Sequence, residues 1–456
     1  MAKSSQSVRT ACDRCYELKA RCERASTTSS CARCERLSLV CSTVRPVRPA
    51  GRRLQNRTLS AFAKPSKESE IDAWLGNVPG LLPEERELLI FLLGRPENVD
   101  CYVVCPRFQV AVQKSLAAQL LLALPILKDA YLACATALKQ LDPNISIDTD
   151  NSVRHASSAM KTLRSLPISN LQDAVVCLTL GAALALSVYS TIGVGVADIC
   201  HYCLTATNPF VEEVVFNKHI DPWQGVLVLL ETMDCLVYRR KPTLRLQPRN
   251  SEGVDRHLGL CLPLLPYYYD LCVISHLIAT TTDASLLTYL PKQLDAICTS
   301  VEAWIPSLAS HLVDQFEAAE IVALLAQAKV YRLGALLVSH RLRHAFGEHD
   351  EQADIWSKEI IMELEMAQRV TERHIRYVTL PFIVAAVEIR DPSARNKALQ
   401  STVDYVDSFS PVVQKATRSF LCRIWHDRDL KITSCWFDSI HKPCPVLQSL
   451  DVASVA

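Results

Sequence analysis

The stretch "ACDRCYELKARCER" spans Ala11 to Arg24, and "CARCERLSLVC" follows from Cys31 to Cys41. Each contains the pattern Cys-x2-Cys-x6-Cys, so the same half-motif occurs twice in close succession. In Cys-x2-Cys a turn brings two sulfurs close enough to bind one tetrahedral Zn²⁺. Three cysteines per half leave each of two metals one ligand short of four, which predicts that two of the sulfurs are shared. The candidate metal ligands are Cys12, Cys15, Cys22, Cys31, Cys34 and Cys41.

Three other interpretations of these cysteines stay open at this point. A zinc ribbon would use only the two Cys-x2-Cys pairs as ligands and would leave Cys22 and Cys41 without a role. Three disulfides would fit a secreted protein, but the beginning "MAKSSQSVRT" has no apolar segment typical of a signal peptide. A zinc module that binds protein or RNA is the third. Because many of the remaining 13 cysteines lie in apolar segments, we expect a reducing compartment.

The spacing of the six cysteines resembles the fungal binuclear zinc cluster, a DNA-binding domain with two Zn²⁺ and six cysteines. The resemblance implies that Cys12 and Cys31 bridge both metals. Cys15 and Cys22 would then complete one site, and Cys34 and Cys41 the other. Six thiolates and two Zn²⁺ sum to a negative cluster, whose charge neighbouring arginines would offset.

The same resemblance implies a site on double-stranded DNA of the CGG type. In the family a short helix after the first cysteine pair enters the major groove, and a lysine near its end contacts guanine. Lys19 occupies that position, and lysine or arginine contacts to guanine are the commonest direct readout. The other candidate DNA contacts are Arg14, Arg21 and Arg24, which we expect to bind phosphates and set the register. The second half, with Leu37, Leu39 and Val40, is expected to pack rather than bind DNA.

Charge separates the beginning of the chain from the rest. Residues 1–57 contain 13 Lys and Arg against 4 Asp and Glu, whereas the other residues contain 36 against 44. A basic arm on a mildly acidic body favours a polyanion as the partner of the arm.

The predicted domains are a zinc module over 1–43, a basic linker over 44–78 and a regulatory domain over 79–456. The linker's arginines would follow the DNA backbone or serve nuclear import. No coiled coil is visible between Arg57 and Cys101, so the sequence decides neither for nor against a homodimer.

The body is predicted to be an all-α array of many helices. Helical patterning begins near Leu81, one helix is expected over Ser115–Leu141, and "DPW" at Asp221 is expected to begin another. Apolar residues from Ile321 to Leu342 recur at steps of three and four. The uncharged stretch 174–197 is long enough to span a membrane, but it has no basic flanks and no second candidate beside it. A central buried helix is the preferred interpretation, without a membrane partner.

Catalytic motifs such as GxSxG, HExxH or a Walker loop do not occur, so no enzymatic activity is expected. "CHYC" at Cys200–Cys203 has metal-like spacing in an apolar context and is assigned to the core. His340, His344 and His349 are assigned to a polar helix face.

The region from Glu231 to Cys272 resembles the helical regulatory region of fungal zinc cluster regulators beside secondary-metabolite gene clusters. The resemblance implies a nuclear activator of RNA polymerase II transcription that contacts the transcription machinery. The alternative is an all-α ligand-binding or enzymatic protein whose zinc module serves assembly.

Overall fold

A computed structural model of the chain describes residues 11–17, 19, 21–23, 29–42, 75, 78, 80–141, 149–210, 223–247, 253–306 and 312–436. The structure is about 74% helical, and the described residues form no strand. One isolated antiparallel bridge joins Asp255 and Gly259. The predicted all-α class with a small cysteine module at the beginning is therefore confirmed.

The chain divides into two compact units, Met1–Ser66 and Lys67–Ala456. Short 3₁₀ turns over Pro96–Tyr102, Pro106–Phe108, Asn208–Phe210 and Leu262–Leu264 connect helices of the second unit. The α-helices are α1 (Asp13–Glu17), α2 (Ala32–Arg36), α3 (Pro83–Gly94), α4 (Gln109–Lys139), α5 (Thr149–Ser165), α6 (Leu171–Thr191), α7 (Val196–Thr207), α8 (Gln224–Tyr238), α9 (Leu265–Thr280), α10 (Ala284–Ala303), α11 (Leu312–Gln315), α12 (Ala318–Arg343), α13 (Asp350–Thr371), α14 (Thr379–Glu388), α15 (Pro392–Gln400), α16 (Thr402–Tyr405) and α17 (Pro411–Asp429).

Helix α6 is the central element of the first half of the body. It packs against α4, α5, α7 and α17, and every residue from Ala174 to Ser190 is buried. The side chain of Asn170 caps its first turn by accepting from the N–H of Asp173. The helix ends at Thr191, and the N–H of Gly193 donates to the carbonyl of Val188 at 2.7 Å. The uncharged stretch is thus a buried helix, as expected, but it ends six residues earlier than residue 197.

Helix α12 has the same role in the second half, where it packs against α10, α13 and α14. The periodic residues are confirmed as its buried side, since Leu324, Ala328, Tyr331, Ala335 and Val338 are buried. Because β-strand alternation would place such residues on both faces, a three-and-four spacing is diagnostic of a helix here.

The helix predicted over Ser115–Leu141 exists as α4, which begins earlier, at Gln109. It bends at Ala123, whose φ of −138° and ψ of 40° are not helical, two residues before Pro125. Proline has no N–H to donate and clashes with the preceding turn, which accounts for the bend. Asp221, the expected start of another helix, lies outside the described residues, and α8 begins at Gln224.

Among the described residues, four segments are long and apolar enough to cross a membrane: Pro106–Lys139, Leu171–Thr191, Leu262–Thr280 and Ala318–Arg343. The prediction that the uncharged stretch has no second candidate beside it is therefore wrong. The most apolar window of Leu171–Thr191 is 94% buried among other helices, whereas that of Pro106–Lys139 is 33% buried.

Candidate metal centre

The six cysteines of the first unit converge on one point. Cys12, Cys15, Cys31 and Cys34 are buried, and Cys22 and Cys41 are partly exposed. The Sγ of Cys12 lies 3.8 Å from the Sγ of Cys31 and 3.8 Å from that of Cys34. The Sγ of Cys15 lies 3.7 Å from that of Cys31.

These sulfurs form two overlapping groups of four, and within each group all ligand atoms lie within 4.8 Å of one another. Cys12 and Cys31 belong to both groups. In a tetrahedral zinc site with Zn–S bonds near 2.3 Å, neighbouring sulfurs are about 3.8 Å apart. The observed separations of 3.7 and 3.8 Å match this value, so the thiol set fits metal ions of that size. The groups are Cys12, Cys31, Cys34, Cys41 and Cys12, Cys15, Cys22, Cys31.

The backbone repeats itself at an offset of 19 residues, the separation between Cys12 and Cys31. Helix α1 corresponds to α2, and each follows a cysteine whose sulfur accepts from the backbone N–H three residues later. Each Cys-x2-Cys turn is therefore stabilised by the same N–H to sulfur bond. These turn bonds are Cys15 N–H to Cys12 Sγ (3.4 Å) and Cys34 N–H to Cys31 Sγ (3.4 Å). A second equivalent pair joins Cys12 N–H to Cys22 Sγ (3.3 Å) and Cys31 N–H to Cys41 Sγ (3.3 Å).

The repeat extends to two residues with left-handed backbone. Lys19 has a φ of 48° and Ser38 a φ of 52°, and the two positions are related by the same offset. Non-glycine residues adopt this conformation at a cost of about 1–2 kcal/mol. In both halves the left-handed residue lies between the short helix and the third cysteine.

Hydrogen bonds join the two halves of the cysteine module. The N–H of Asp13 donates to the carbonyl of Ser42 at 2.8 Å, and the Ser42 hydroxyl donates to the Asp13 carboxylate at 3.0 Å. The N–H of Ala32 donates to the carbonyl of Glu23 at 3.1 Å, which joins the second half to the first. The segment from Asp13 to Ser42 is thus held together at its first and last residues by hydrogen bonds.

The surroundings shift the pKa values of these thiols in opposite directions. The backbone N–H of Cys34 lowers the pKa of Cys31 to about 6, with further lowering from the neighbouring thiols. Burial raises the pKa of Cys15 to about 12, and interactions with Cys12 and Cys31 act in the same direction. The side chain of Cys31 and burial likewise raise the pKa of Cys34. A shared sulfur is therefore the one most ready to be a thiolate, the form that binds metal.

The predicted DNA contacts are distributed around the cluster. Arg14 is exposed on α1, and with Arg33, its counterpart on α2, it lines a small cleft against Cys15 and Cys34. Lys19 is exposed, but it lies in the turn beyond the end of α1 rather than within the helix.

Arg21 is exposed and pairs with Glu23 at 3.0 Å. Arg24 and the linker arginines lie outside the described residues. The expectation that the second half packs through its apolar residues is wrong for two of them. Val40 is 87% exposed and Leu37 is 49% exposed within this part of the chain.

Comparisons with protein-family models, with curated proteins and with solved structures find no match to the chain. The cysteine geometry therefore stands by itself as the indication of a module like the binuclear zinc cluster.

The remaining motifs lie in the body. Cys200 and Cys203 are fully buried in the apolar core, as predicted. Arg239 caps the C-terminal end of α8 with a φ of 53°, where a cation complements the helix dipole. Within the Tyr267–Tyr269 triplet, Tyr268 is fully buried and donates to the carbonyl of Tyr331 at 2.8 Å.

Sequence reasoning missed two features of α12. Arg341 is buried and forms a two-pronged ion pair with Glu388, with distances of 2.9 and 2.6 Å. Near the end of the helix, the ring of His344 contacts the rings of His340 and His349.

Proposed function

We propose that this protein is a nuclear, sequence-specific DNA-binding transcription factor with two Zn²⁺ in its first unit. The observation that carries the proposal is the pair of four-thiol groups that share Cys12 and Cys31. A single-zinc ribbon needs only four of the six cysteines, whereas this arrangement uses all of them.

Each metal would have four sulfur ligands and a structural role. Cys12, Cys15, Cys22 and Cys31 would hold one ion, and Cys12, Cys31, Cys34 and Cys41 the other. Bound zinc supplies the free energy that folds small modules of this kind. With thiolates at every coordination position, neither ion has an open site for catalysis.

The exposed cations give the module its affinity for DNA. Arg14, Lys19, Arg21 and Arg33 are exposed around the cluster. Their charges attract phosphates, and binding would release counterions and weaken as salt rises. Lys19 would supply the contact to guanine O6 and N7 in a CGG-type site, because an exposed turn presents its amine beyond the end of α1.

The helical body is assigned the regulatory role. Activation of a fungal secondary-metabolite gene cluster through the transcription machinery rests on the resemblance of the region from Glu231 to Cys272. In that region Arg245 and Asp270 form a two-pronged ion pair with both distances at 2.9 Å, which ties the connection after α8 to α9.

A gel-shift titration of the zinc-loaded chain against CGG-containing and scrambled duplexes tests the proposal. Lys19→Ala is expected to reduce discrimination between the duplexes by about 1–3 kcal/mol, with unchanged zinc content. Ser38→Ala is the matched control, because Ser38 has the same backbone conformation in the other half.

Two outcomes would contradict parts of the proposal. If Lys19→Ala weakened binding equally on both duplexes, Lys19 would contact phosphate only. If the zinc-loaded wild type bound neither duplex at low salt, the module would serve protein assembly instead.

A further inference from the structure

The outward side of α13 carries a row of large apolar side chains. The helix packs against α12 and α14 through a side whose buried residues recur at steps of three and four, from Ala353 to Thr371. Against the described residues, four apolar side chains on the opposite side are between 51% and 63% exposed. This outer row consists of Ile355, Met362, Met366 and Val370.

The outer row has the properties of an interaction surface. Steps of seven and four residues keep its members on one face of the helix. Single exposed apolar residues are ordinary on a protein surface, whereas a contiguous row marks a site of association. Two of the five methionines of the chain lie one turn apart in this row. Methionine is enriched at protein interfaces, because its flexible thioether adapts to the surface of a partner.

Charges of opposite sign border the two ends of the row. Glu351 is exposed in the first turn of α13, whereas Arg369 is exposed in its last turn and Arg373 just beyond it. At 3.6 residues per turn, Glu351 and Arg369 lie at the same angle around the helix, and Arg373 lies about 40° away. The face that carries the outer row is therefore acidic at its beginning and basic at its end.

The carboxylates beside the middle of the row are paired within the chain. Lys329 of α12 lies 3.1 Å from Glu359 and 2.8 Å from Glu363. Lys397 of α15 lies 2.6 Å from Glu365. Because these negative charges are offset locally, the middle of the face does not strongly repel an identical face.

We infer that this protein forms a homodimer in which the outer rows of two α13 helices pack against each other in antiparallel orientation. In a twofold interface both copies present the same surface, so that surface must complement itself. With the axis beside Met362, Ile355 of one copy lies opposite the turn that contains Val370 in the other. The same alignment places Glu351 opposite Arg373, and it does so twice.

The charges decide both the orientation and the occupant. A parallel pair of helices would place Glu351 against Glu351 and Arg373 against Arg373, whereas the antiparallel pair joins opposite charges. A second copy thus satisfies the apolar row and both charged ends at once. All residues that carry the inference lie in the second unit, so it does not depend on the proposed function of the first.

Sedimentation velocity of the zinc-loaded full-length chain, over a range of micromolar concentrations, tests the inference. Wild type is expected to form a dimer, and Met362→Lys should raise the dissociation constant of that dimer by at least about tenfold, because two ammonium groups would meet beside the axis. Leu122→Lys is the matched control and should leave the constant unchanged, since Leu122 is 71% exposed on α4 and lies outside the outer row.

An exchange of charges tests the orientation. Glu351→Arg and Arg373→Glu should each weaken the dimer about three- to tenfold, and the combined variant should recover the affinity of wild type. Arg373 also pairs with Glu317 at 3.3 Å, so the recovery in the combined variant is the decisive result. A combined variant that binds no better than either single variant would overturn the antiparallel dimer.

Oxidation of Met362 and Met366 by dilute peroxide, measured by mass spectrometry, identifies what covers the row. Protection that increases with protein concentration supports a second copy. Protection that does not change with concentration would assign the cover to the chain itself, for example to residues 437–456, and would overturn the inference.

Two further results would overturn it. One is a wild-type chain that stays monomeric throughout the concentration range. The other is a dimer that Met362→Lys weakens no more than Leu122→Lys does. Because every substituted side chain is exposed, the helix content of each variant, measured by circular dichroism, should equal that of wild type.

Discussion

Replacing Cys12 by serine should remove both metals of the first unit. Cys12 is in both four-thiol groups, whereas Cys22 is in only one. A serine hydroxyl is a far weaker zinc ligand than a thiolate, so Cys12→Ser reduces each site to three sulfurs. Cys22→Ser reduces one site and leaves the other with its full set.

The expected effect is a change in the number of zinc ions bound per chain. Relative to wild type, Cys12→Ser should lose two zinc ions per chain and Cys22→Ser one. Structural zinc binding contributes about 10–16 kcal/mol per ion in small modules, well above the stability of a short segment with two five-residue helices. Loss of both ions should therefore unfold the unit, and the remaining thiols should react rapidly with a thiol reagent.

Elemental analysis of the purified full-length proteins, together with the rate of thiol modification, measures this difference. Cys41→Ser is the matched control for Cys22→Ser, because its hydrogen bond from Cys31 N–H has the same length, 3.3 Å, as that from Cys12 N–H to Cys22. Equal zinc losses in Cys12→Ser and Cys22→Ser would refute the shared-ligand reasoning.

Three further predictions concern the body. Arg341→Met should lower the free energy of unfolding by about 3–5 kcal/mol, because it leaves the Glu388 carboxylate, 2% exposed, without its partner. Gly181→Ala should cost about 1–3 kcal/mol, since the new Cβ would lie 2.2 Å from the Sγ of Cys203. Asp234→Asn should stabilise the protein at pH 7.5 but not at pH 4, because burial raises the pKa of Asp234 to about 6. Urea unfolding of each variant beside wild type measures all three effects.

The sign of the last effect follows from proton linkage. The folded state holds the Asp234 proton more tightly than the unfolded state, so the wild type loses stability as pH rises from about 4 through about 6. The gain in Asp234→Asn at pH 7.5 should reach at most about 3 kcal/mol. A constant difference between the two proteins from pH 4 to 7.5 would contradict the assignment.

Second-site changes provide the controls for the other two. Adding Glu388→Met to Arg341→Met should recover much of the lost stability, since removing both partners leaves no unpaired charge. Cys203→Ala should reduce the cost of Gly181→Ala, because it removes the atom that the new methyl group meets. Strict additivity in either pair would show that the contact does not cause the loss.

A feature of this structure could be predicted from the sequence when the residues that determine it lie close together in the chain. The thiol cluster was predictable because metal geometry constrains cysteines over a short segment. The body of α12 was predictable because its buried side recurs with the helical period from Ile321 to Leu342. The end of α6 was misplaced, since a chain reversal at Gly193 and Gly195, both with positive φ, carries no hydrophobic signal.

Features that depend on long-range contacts were not predictable. Arg341 and Glu388 are 47 residues apart and meet only because α12 packs on α14. The rings of His344 and His349 meet only because the chain turns back between α12 and α13, and the helical period does not encode that turn. Lys19 was assigned to a helix that in fact ends at Glu17, because a left-handed lysine gives no local signature.

The internal repeat of the first unit, with its offset of 19 residues, has a consequence for the proposed recognition of DNA. The two halves have a left-handed residue at equivalent positions, and its side chain carries an amine at Lys19 and a hydroxyl at Ser38. Under the proposed function, the half that bears the amine is the half that contacts guanine. Exchanging Lys19 and Ser38 is then expected to move that contact to the other half and to leave the six metal ligands unchanged.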